Sequence, residues 1–370
     1  MSATYSSVAS KKKAASARPV VAATPTSKPV YLFALWGVIT MLVGLYAWGG
    51  WLGSADFRPA PMGADPLPER VWWTLRIIEV LAITMAFILV WKFMIKPWRR
   101  EGHITWDGMF MISGFLLWWT DPIDNYFNFT FMYNSGFFNM SSWTQFIPGW
   151  EAPNQRNFPE PLFFVGGLYI WWFIAPVAMG CWGLNQLKAR FPNASTMTRL
   201  GVLFLAFALF DFVVENIFQQ LEVFAYVGAY APLTVWAGTK HQYPLYNSFI
   251  MALFFMGMTS LRYFKDDKGQ SFAERGMDAI KASTATKTVL RQFALLGFLS
   301  ANIMVMYYMP YCLFSMKADS FPKYPSYLLA EICGKGTPYA CPSKEVPIPR
   351  RESLVIPPTD ARLSPEATRN

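Results

Sequence analysis

The chain has 370 residues, of which 54% are hydrophobic, 18% aromatic and only 15% charged, against roughly 25% charged in an ordinary soluble domain. This shortage of charge points to a membrane protein and excludes a pair of soluble domains. The net charge of +9 does not indicate a nucleic-acid partner, because the basic residues stand in short clusters between apolar runs, where they read as topology signals.

In chain order, residues 1–28 are rich in Ala, Ser and Lys with few large apolar side chains, so a disordered basic cytoplasmic tail is expected there. A helix crosses about 30 Å of hydrocarbon with about 20 mainly apolar residues, its backbone satisfied internally. Seven runs meet or approach that length: Tyr31 to Trp51, Val71 to Trp91, Met109 to Thr120 extended back toward Ile104, Pro161 to Leu184, Thr198 to Phe218, Leu245 to Leu261 and Phe293 to Phe314. The first is too long for a signal-peptide core. The third and sixth are short or broken by Gly.

The expected fold is therefore all-α, a polytopic transmembrane bundle of about seven helices over residues 29–314 with a cytoplasmic N-terminus. Between the sixth and seventh runs, Lys265 to Thr288 is expected as a short amphipathic surface helix. Residues 315–370 read as an irregular, Pro-rich outer tail. Within it Cys333 and Cys341 could close a small disulfide loop in an oxidising compartment, or remain two thiols. Cys181 and Cys312 fall in apolar runs as core residues.

Orientation follows from Lys and Arg, which stay on the cytoplasmic side. With the N-terminus inside, the inner segments hold Lys11, Lys12, Lys13, Arg18 and Lys28, then Lys92, Lys96, Arg99 and Arg100, then Lys188, Arg190 and Arg199. The last inner loop adds Arg262, Lys265, Lys268, Arg275, Lys281, Lys287 and Arg291, whereas the outer loops hold only Arg58, Arg70, Arg156 and Lys240. A bacterial inner membrane is the expected location.

The chain contains two histidines, and its four cysteines lack metal-ligand spacing, which argues against zinc, di-iron or haem centres. No phosphate-binding loop, dinucleotide fingerprint or nucleophile elbow is present. No metal and no cofactor is expected. What remains is carboxylates, and ionisable residues within a bilayer are functional candidates because they are costly.

Arg76 and Glu79 are three apart and share a helical face, as do Asp211 and Glu215, four apart. The 1.5 Å rise per residue puts Arg76 and Glu79 roughly 8 and 12 Å below the outer surface, and Asp211 and Glu215 about 20 and 25 Å up from the inner one. Asp121, at the end of the third run, falls at a similar level. One Arg can form a structural pair with one acid but cannot neutralise three. At least one carboxyl must then be protonated or face water, and a protonated acid beside an ionised one is what acid–base catalysis uses.

The segment from Asp121 to Leu162 reads DPIDNYFNFTFMYNSGFFNMSSWTQFIPGWEAPNQRNFPEPL. Its Tyr126, Phe127, Phe129, Phe131, Tyr133, Phe137, Phe138, Trp143, Phe146 and Trp150 need a surface to bury them, either as a lid over the bundle or as an interfacial aromatic belt. A lid of aromatic faces would suit a cationic species.

The ordered string DP, NY, YN, SW, IPGW, PN and PEPL in this segment resembles the AveC-like spirocyclases. The likeness extends over roughly Tyr31 to Leu313. It implies a multi-helix membrane enzyme acting on an apolar polyketide-like or lipid-like substrate, without metal or nucleotide, in secondary-metabolite biosynthesis. Spiroketal formation passes through an oxocarbenium ion, as glycoside hydrolysis does, where two carboxylates suffice.

On this reading the catalytic residues are Asp121, Asp211 and Glu215, with the acid at Asp211 or Glu215 and the base or cation stabiliser at Asp121. Asp124, Asn125, Tyr126, Tyr133, Asn134, Trp143, Trp150, Glu160, Arg76 and Glu79 are the expected substrate-binding residues. The expected partners are the lipid bilayer and an apolar small molecule. The rival functions are a proton-coupled transporter, against which stands the absence of a visible inverted repeat, and a non-catalytic assembly subunit.

Overall fold

The computed structural model describes residues 29–349 apart from 335, 336, 338, 344, 345 and 347; the expected tail at 1–28 and the last part of the expected tail at 315–370 lie outside the described residues. The helices are α1 (Pro29–Leu52), α2 (Glu69–Val90), α3 (Lys96–Glu101), α4 (Trp106–Leu116), α5 (Phe164–Arg190), α6 (Thr196–Gln220), α7 (Leu245–Tyr263), α8 (Thr284–Ile303) and α9 (Met309–Ser315). Side-chain oxygens of Thr105, Ser195 and Ser283 accept from the first turns of α4, α6 and α8, satisfying amides that a helix start leaves unpaired.

Two π-helical turns, Trp91–Ile95 and Met304–Tyr308, join α2 to α3 and α8 to α9. Each stands just before a proline, Pro97 or Pro310. Proline has no N–H to give, and the wider turn absorbs the lost hydrogen bond without ending the rod.

Among the described residues, five helices are long and apolar enough to cross a membrane: Pro29–Leu52, Glu69–Glu101, Phe164–Arg190, Thr196–Gln220 and Thr284–Ser315. The protein is an all-α membrane protein, and its lipid-facing surfaces are visible as exposed apolar stripes. On α6 the stripe is Val202, Leu205, Leu209, Val213 and Ile217, spaced three and four apart as one helical face requires.

The two remaining runs of the seven differ from full spans. The third run is an 11-residue α-helix, about 16 Å long, which tightens at Leu117 into a 3-10 segment, Trp118–Asn125, with Pro122 inside it. The sixth run forms α7, long enough at 19 residues but carrying Asn247, Ser248, Thr259 and Arg262. It is packed among α5, α6 and α8, where those polar side chains meet protein.

The tightest approach is α1 against α8. A Cβ at Gly37 would lie 2.0 Å from Phe293 O, and one at Gly297 only 1.8 Å from Phe33 O. Small residues at such a seam let two backbones touch and gain dispersion contact that lipid does not supply. Ser300 Oγ donates to Thr40 Oγ1 across it at 3.1 Å. From α8 the packing runs to α4, then α5, then α2 and α7, then α6.

At one end of the bundle Arg262 clamps Asp107 through two bonds of 2.9 and 2.8 Å. Beside it buried Glu274 receives Arg291 at 2.6 Å and Trp106 Nε1 at 3.0 Å. The segment Lys265–Thr288 is not the surface helix its composition predicts. Gly269 and Gly276 take positive φ, 72° and 96°, and before α8 begins at Thr284 a 3-10 turn forms at Phe272–Glu274, fixed by a reciprocal Ser271–Glu274 cap. Glu274 is drawn inward to its cations rather than outward to solvent.

At the opposite end the aromatic segment is packed rather than splayed. Phe129, Trp143, Ile147, Trp150 and Phe158 form a core with Ala47 and Trp51 of α1 and with Tyr327, Leu328 and Ile332 of the C-terminal segment. Of its ten aromatic residues named above, only Phe138 is exposed. Cys333 and Cys341 are joined in a disulfide, and Asn154 donates to Ile332 O at 2.9 Å. The segment is also tied down by strand β1 (Met132–Tyr133), antiparallel to β2 (Phe224–Ala225) with Tyr133 opposite Phe224.

Replacing Gly297 by Leu forces α8 off α1 and should lower the stability of the detergent-solubilised protein by about 2 kcal/mol or more. Gly49→Ala, where an added Cβ meets nothing within 4 Å, should change it by no more than about 0.5 kcal/mol. Thermal unfolding followed by intrinsic Trp fluorescence measures both, and equal losses would remove the seam argument.

Candidate active site

Where the 3-10 segment, α5, α6, α7 and the π turn of α8 converge, they enclose a cavity of about 80 Å³. Asp121, Asp124 and Glu215 line it together with Tyr133, Tyr169, Tyr307 and Tyr308, and the rest of the wall is aromatic or aliphatic, including Phe131, Phe164, Trp172, Phe173 and Phe254. Among the described residues, no Lys, Arg or His contributes to the wall.

Each carboxylate reaches the cavity for a local reason. The tightening of the chain after Leu117 and the kink at Pro122 turn Asp121 and Asp124 inward. Glu215 lies on the inner face of α6, opposite its lipid stripe. The wide π turn at Met304–Tyr308 presents two consecutive tyrosines, Tyr307 and Tyr308, to the same space, which the 100° step of a regular helix makes difficult.

Asp121 is the hub. It is hydrogen-bonded to Tyr169, Tyr133 and Glu160, and it also borders a second, smaller void of about 10 Å³ with Asn125 and Glu160, about the room of one water molecule. Glu160 is buried and accepts from Trp118 Nε1 at 2.6 Å. Two carboxyl groups in a hydrogen bond need a proton between them.

Both residues lie outside the five spans, and burial pushes both carboxyls up from their ordinary values. Glu160 rises well above its ordinary range, first through burial and then through the negative charge of Asp121. For Asp121 burial again dominates, opposed by the hydrogen bonds it receives. The tyrosines join this network: Tyr169 and Tyr308 hydroxyls lie 3.0 Å apart, and Tyr308 is 3.2 Å from Thr120 Oγ1.

Glu215 has a different surround. Its Oε2 accepts from the Tyr226 hydroxyl and from Asn247 Nδ2 at 3.0 Å. Asp211, one turn earlier, does not line the cavity; it is fully buried behind it and accepts from Tyr243 at 3.0 Å, whose hydroxyl is 2.6 Å from Ser248 Oγ. Asp124 Oδ2 reaches only Tyr307, at 3.4 Å, and its Oδ1 has no partner.

The other sequence-predicted residues hold the loop instead of lining the cavity. Asn125 accepts from the amides of Thr130 and Phe131 at 2.8 and 3.0 Å, and Asn134 bridges Glu222 O and the Gly136 amide. Trp143 donates to Trp119 O at 2.6 Å and Trp150 to Ala152 O at 3.1 Å, both in the packed core. Tyr126 donates to Pro148 O at 2.8 Å.

Arg76 and Glu79 pair with each other at 3.1 Å away from the cavity. Arg76 also donates to Gly136 O at 2.7 Å, and Glu79 accepts from the Phe138 amide at 2.7 Å. Together they pin the Gly136–Phe138 turn to α2.

Residues that sequence reasoning passed over are Tyr169, Tyr226, Asn247, Tyr307 and Tyr308. A signal existed for the last two, since adjacent tyrosines immediately before a Met-Pro step inside an apolar run are polar groups where lipid offers them nothing.

A model of the family described as spirocyclase AveC-like matches residues 98–325. No curated protein and no solved structure matches the chain. The match covers more than half of the chain and contains every residue that lines the cavity, and the protein belongs to the AveC-like spirocyclase family.

Proposed function

We propose that the protein is a membrane-embedded cyclase that converts an apolar, polyketide-like dihydroxyketone into a spiroketal by acid–base catalysis. The observation that carries this reading is that Asp121 and Glu215, on two different elements, line one small, largely apolar cavity with no basic side chain among its described lining residues. Dehydrative cyclisation needs an acid, a base and a dry site for a cation, and these residues can supply all three.

In this scheme the hemiketal hydroxyl receives a proton from the Asp121–Glu160 pair and leaves as water with the C–O electron pair. The resulting oxocarbenium carbon is attacked by the second hydroxyl, whose proton passes to Glu215. One water is lost overall, and the proton moves from Glu215 back to the pair before the next turnover. Tyr169, Tyr307 and Tyr308 orient the substrate oxygens. The assignment differs from that expected from sequence, because a carboxyl bonded to a second carboxyl is the proton holder, whereas one that receives Tyr226 and Asn247 is the acceptor. Asp211 positions Tyr243 behind Glu215.

The clustering of Lys and Arg at the end opposite the aromatic loop supports a cytoplasmic N-terminus, with the cavity in the outer half.

Asp121→Asn and Glu215→Gln should each lower kcat by about 10²–10⁴-fold, and Asp211→Asn, outside the cavity, should lower it far less. Conversion of a synthetic dihydroxyketone by purified protein, with spiroketal stereochemistry read by chiral chromatography, is the measurement. Full turnover in both cavity variants would end the proposal.

The shared proton also predicts a pH limb. Burial raises Glu160, so raising the pH removes its proton only well above the ordinary carboxylate range, and turnover should fall there. In Glu160→Gln this limb should move or vanish together with the protonated-carboxyl band in infrared difference spectra. A limb that stays in place would assign the acid elsewhere.

A further inference from the structure

We infer that the cavity is a binding site for a compact organic cation, selecting positive charge over a neutral molecule of the same shape. This deepens the cyclisation reading, on which it rests for the identity of the natural cation.

Asp121, Asp124 and Glu215 face one space without a Lys, Arg or His. Asp121 and Glu215 each have hydrogen-bond partners. Asp124 is the least satisfied of the three: its residue is 6% exposed, its Oδ1 has no partner, and its Oδ2 accepts only from the Tyr307 hydroxyl, at 3.4 Å. A carboxylate oxygen buried and unanswered is costly, and the space that Asp124 lines is the cavity. Whatever fills that space with a positive charge repays the cost.

The rest of the wall selects the kind of cation. A small metal ion wants about six oxygen ligands, and among the described residues no group of three or more His, Cys, Asp and Glu is arranged to hold one. The aromatic wall, with Tyr133, Tyr307 and Trp172, instead suits a charge spread over carbon, because the face of a ring is negative and attracts a poorly hydrated cation. At about 80 Å³ the cavity has the room of roughly two or three waters, so it takes the charged centre of a molecule and not a long chain. An oxocarbenium carbon with its ring oxygen has that size and charge.

The probes are pyrrolidinium chloride and tetrahydrofuran, a charged and a neutral ring of nearly equal shape, titrated calorimetrically into the purified full chain, with sodium chloride as a third titrant. Pyrrolidinium should bind at one site at least about tenfold more tightly than tetrahydrofuran, and Asp124→Asn should lose most of that ratio. Equal affinity for the two rings, an unchanged ratio in a folded Asp124→Asn, or displacement of pyrrolidinium by equimolar sodium overturns the inference. If Asp124→Asn does not fold, the wild-type ratio and the sodium competition decide it. Charge-selective binding in a protein that never turns over a dihydroxyketone would uphold this site and remove the cyclase; turnover without charge selectivity would do the reverse.

Discussion

Everything at the loop-bearing end of this protein depends on one constraint, that carboxylates buried in an apolar cavity without a cation must be satisfied by neutral hydrogen-bond donors or by protons. The alternative solution is visible a short way off, where Glu79 has Arg76 at 3.1 Å, and again at the basic end, where Glu274 has Lys265 and Arg291. Those acids are neutralised, and they anchor structure. The cavity acids have tyrosines, an asparagine and each other. A site that kept Arg or Lys in its wall would gain stability and lose the capacity to move a proton or hold a carbon-centred charge.

The surrounding fold serves that arrangement. Hydroxyls cannot be left pointing at lipid, so Tyr307 and Tyr308 must face inward together, and the π turn before Pro310 is the local backbone change that allows it. That turn is held in place because α8 is locked to α1 along a seam with no room for a Cβ. The loop that roofs the cavity is fastened at several points, through β1–β2 pairing, the Arg76–Glu79 pair, and the core it shares with α1 and the C-terminal segment. The space beneath it is walled mostly by aromatic and aliphatic side chains, among which electrostatic interactions are strong.

Much of this was legible from residue types and spacing. Apolar runs located the five long spans, the scarcity of charge inside them singled out Glu215, and Asp121 stood out at the end of the third run; both acids line the cavity. Periodicity placed Asp211 and Glu215 on one face, but a face is wider than a cavity. Four residues carry the chain about 6 Å along the axis, enough for Glu215 to reach the space and Asp211 to stop behind Tyr243. Arg76 and Glu79 were equally conspicuous in sequence, and only packing reveals that their partner is the Gly136–Phe138 turn. The shortness of α4 was hidden because its apolar run continues into a 3-10 segment, and hydropathy does not distinguish the two backbones. Tyr169 and Tyr226 counted as ordinary aromatic residues until their hydroxyls could be traced to partners.

The two sides of the cavity differ in the kind of neighbour rather than in the kind of acid. Asp121 meets a second carboxyl, Glu160, and a pair of that type is defined by the one proton it must contain. Glu215 meets a phenol and an amide, groups that hand it hydrogens and ask for none in return on that oxygen. Exchanging Asp for Glu at either place would alter reach and leave this polarity intact, whereas moving Glu160 or Asn247 would reverse or erase it. In the proposed mechanism the direction of proton travel across the cavity is therefore set by the neighbours of the two acids, of which Asn247 is one that a search for carboxylates alone passes over.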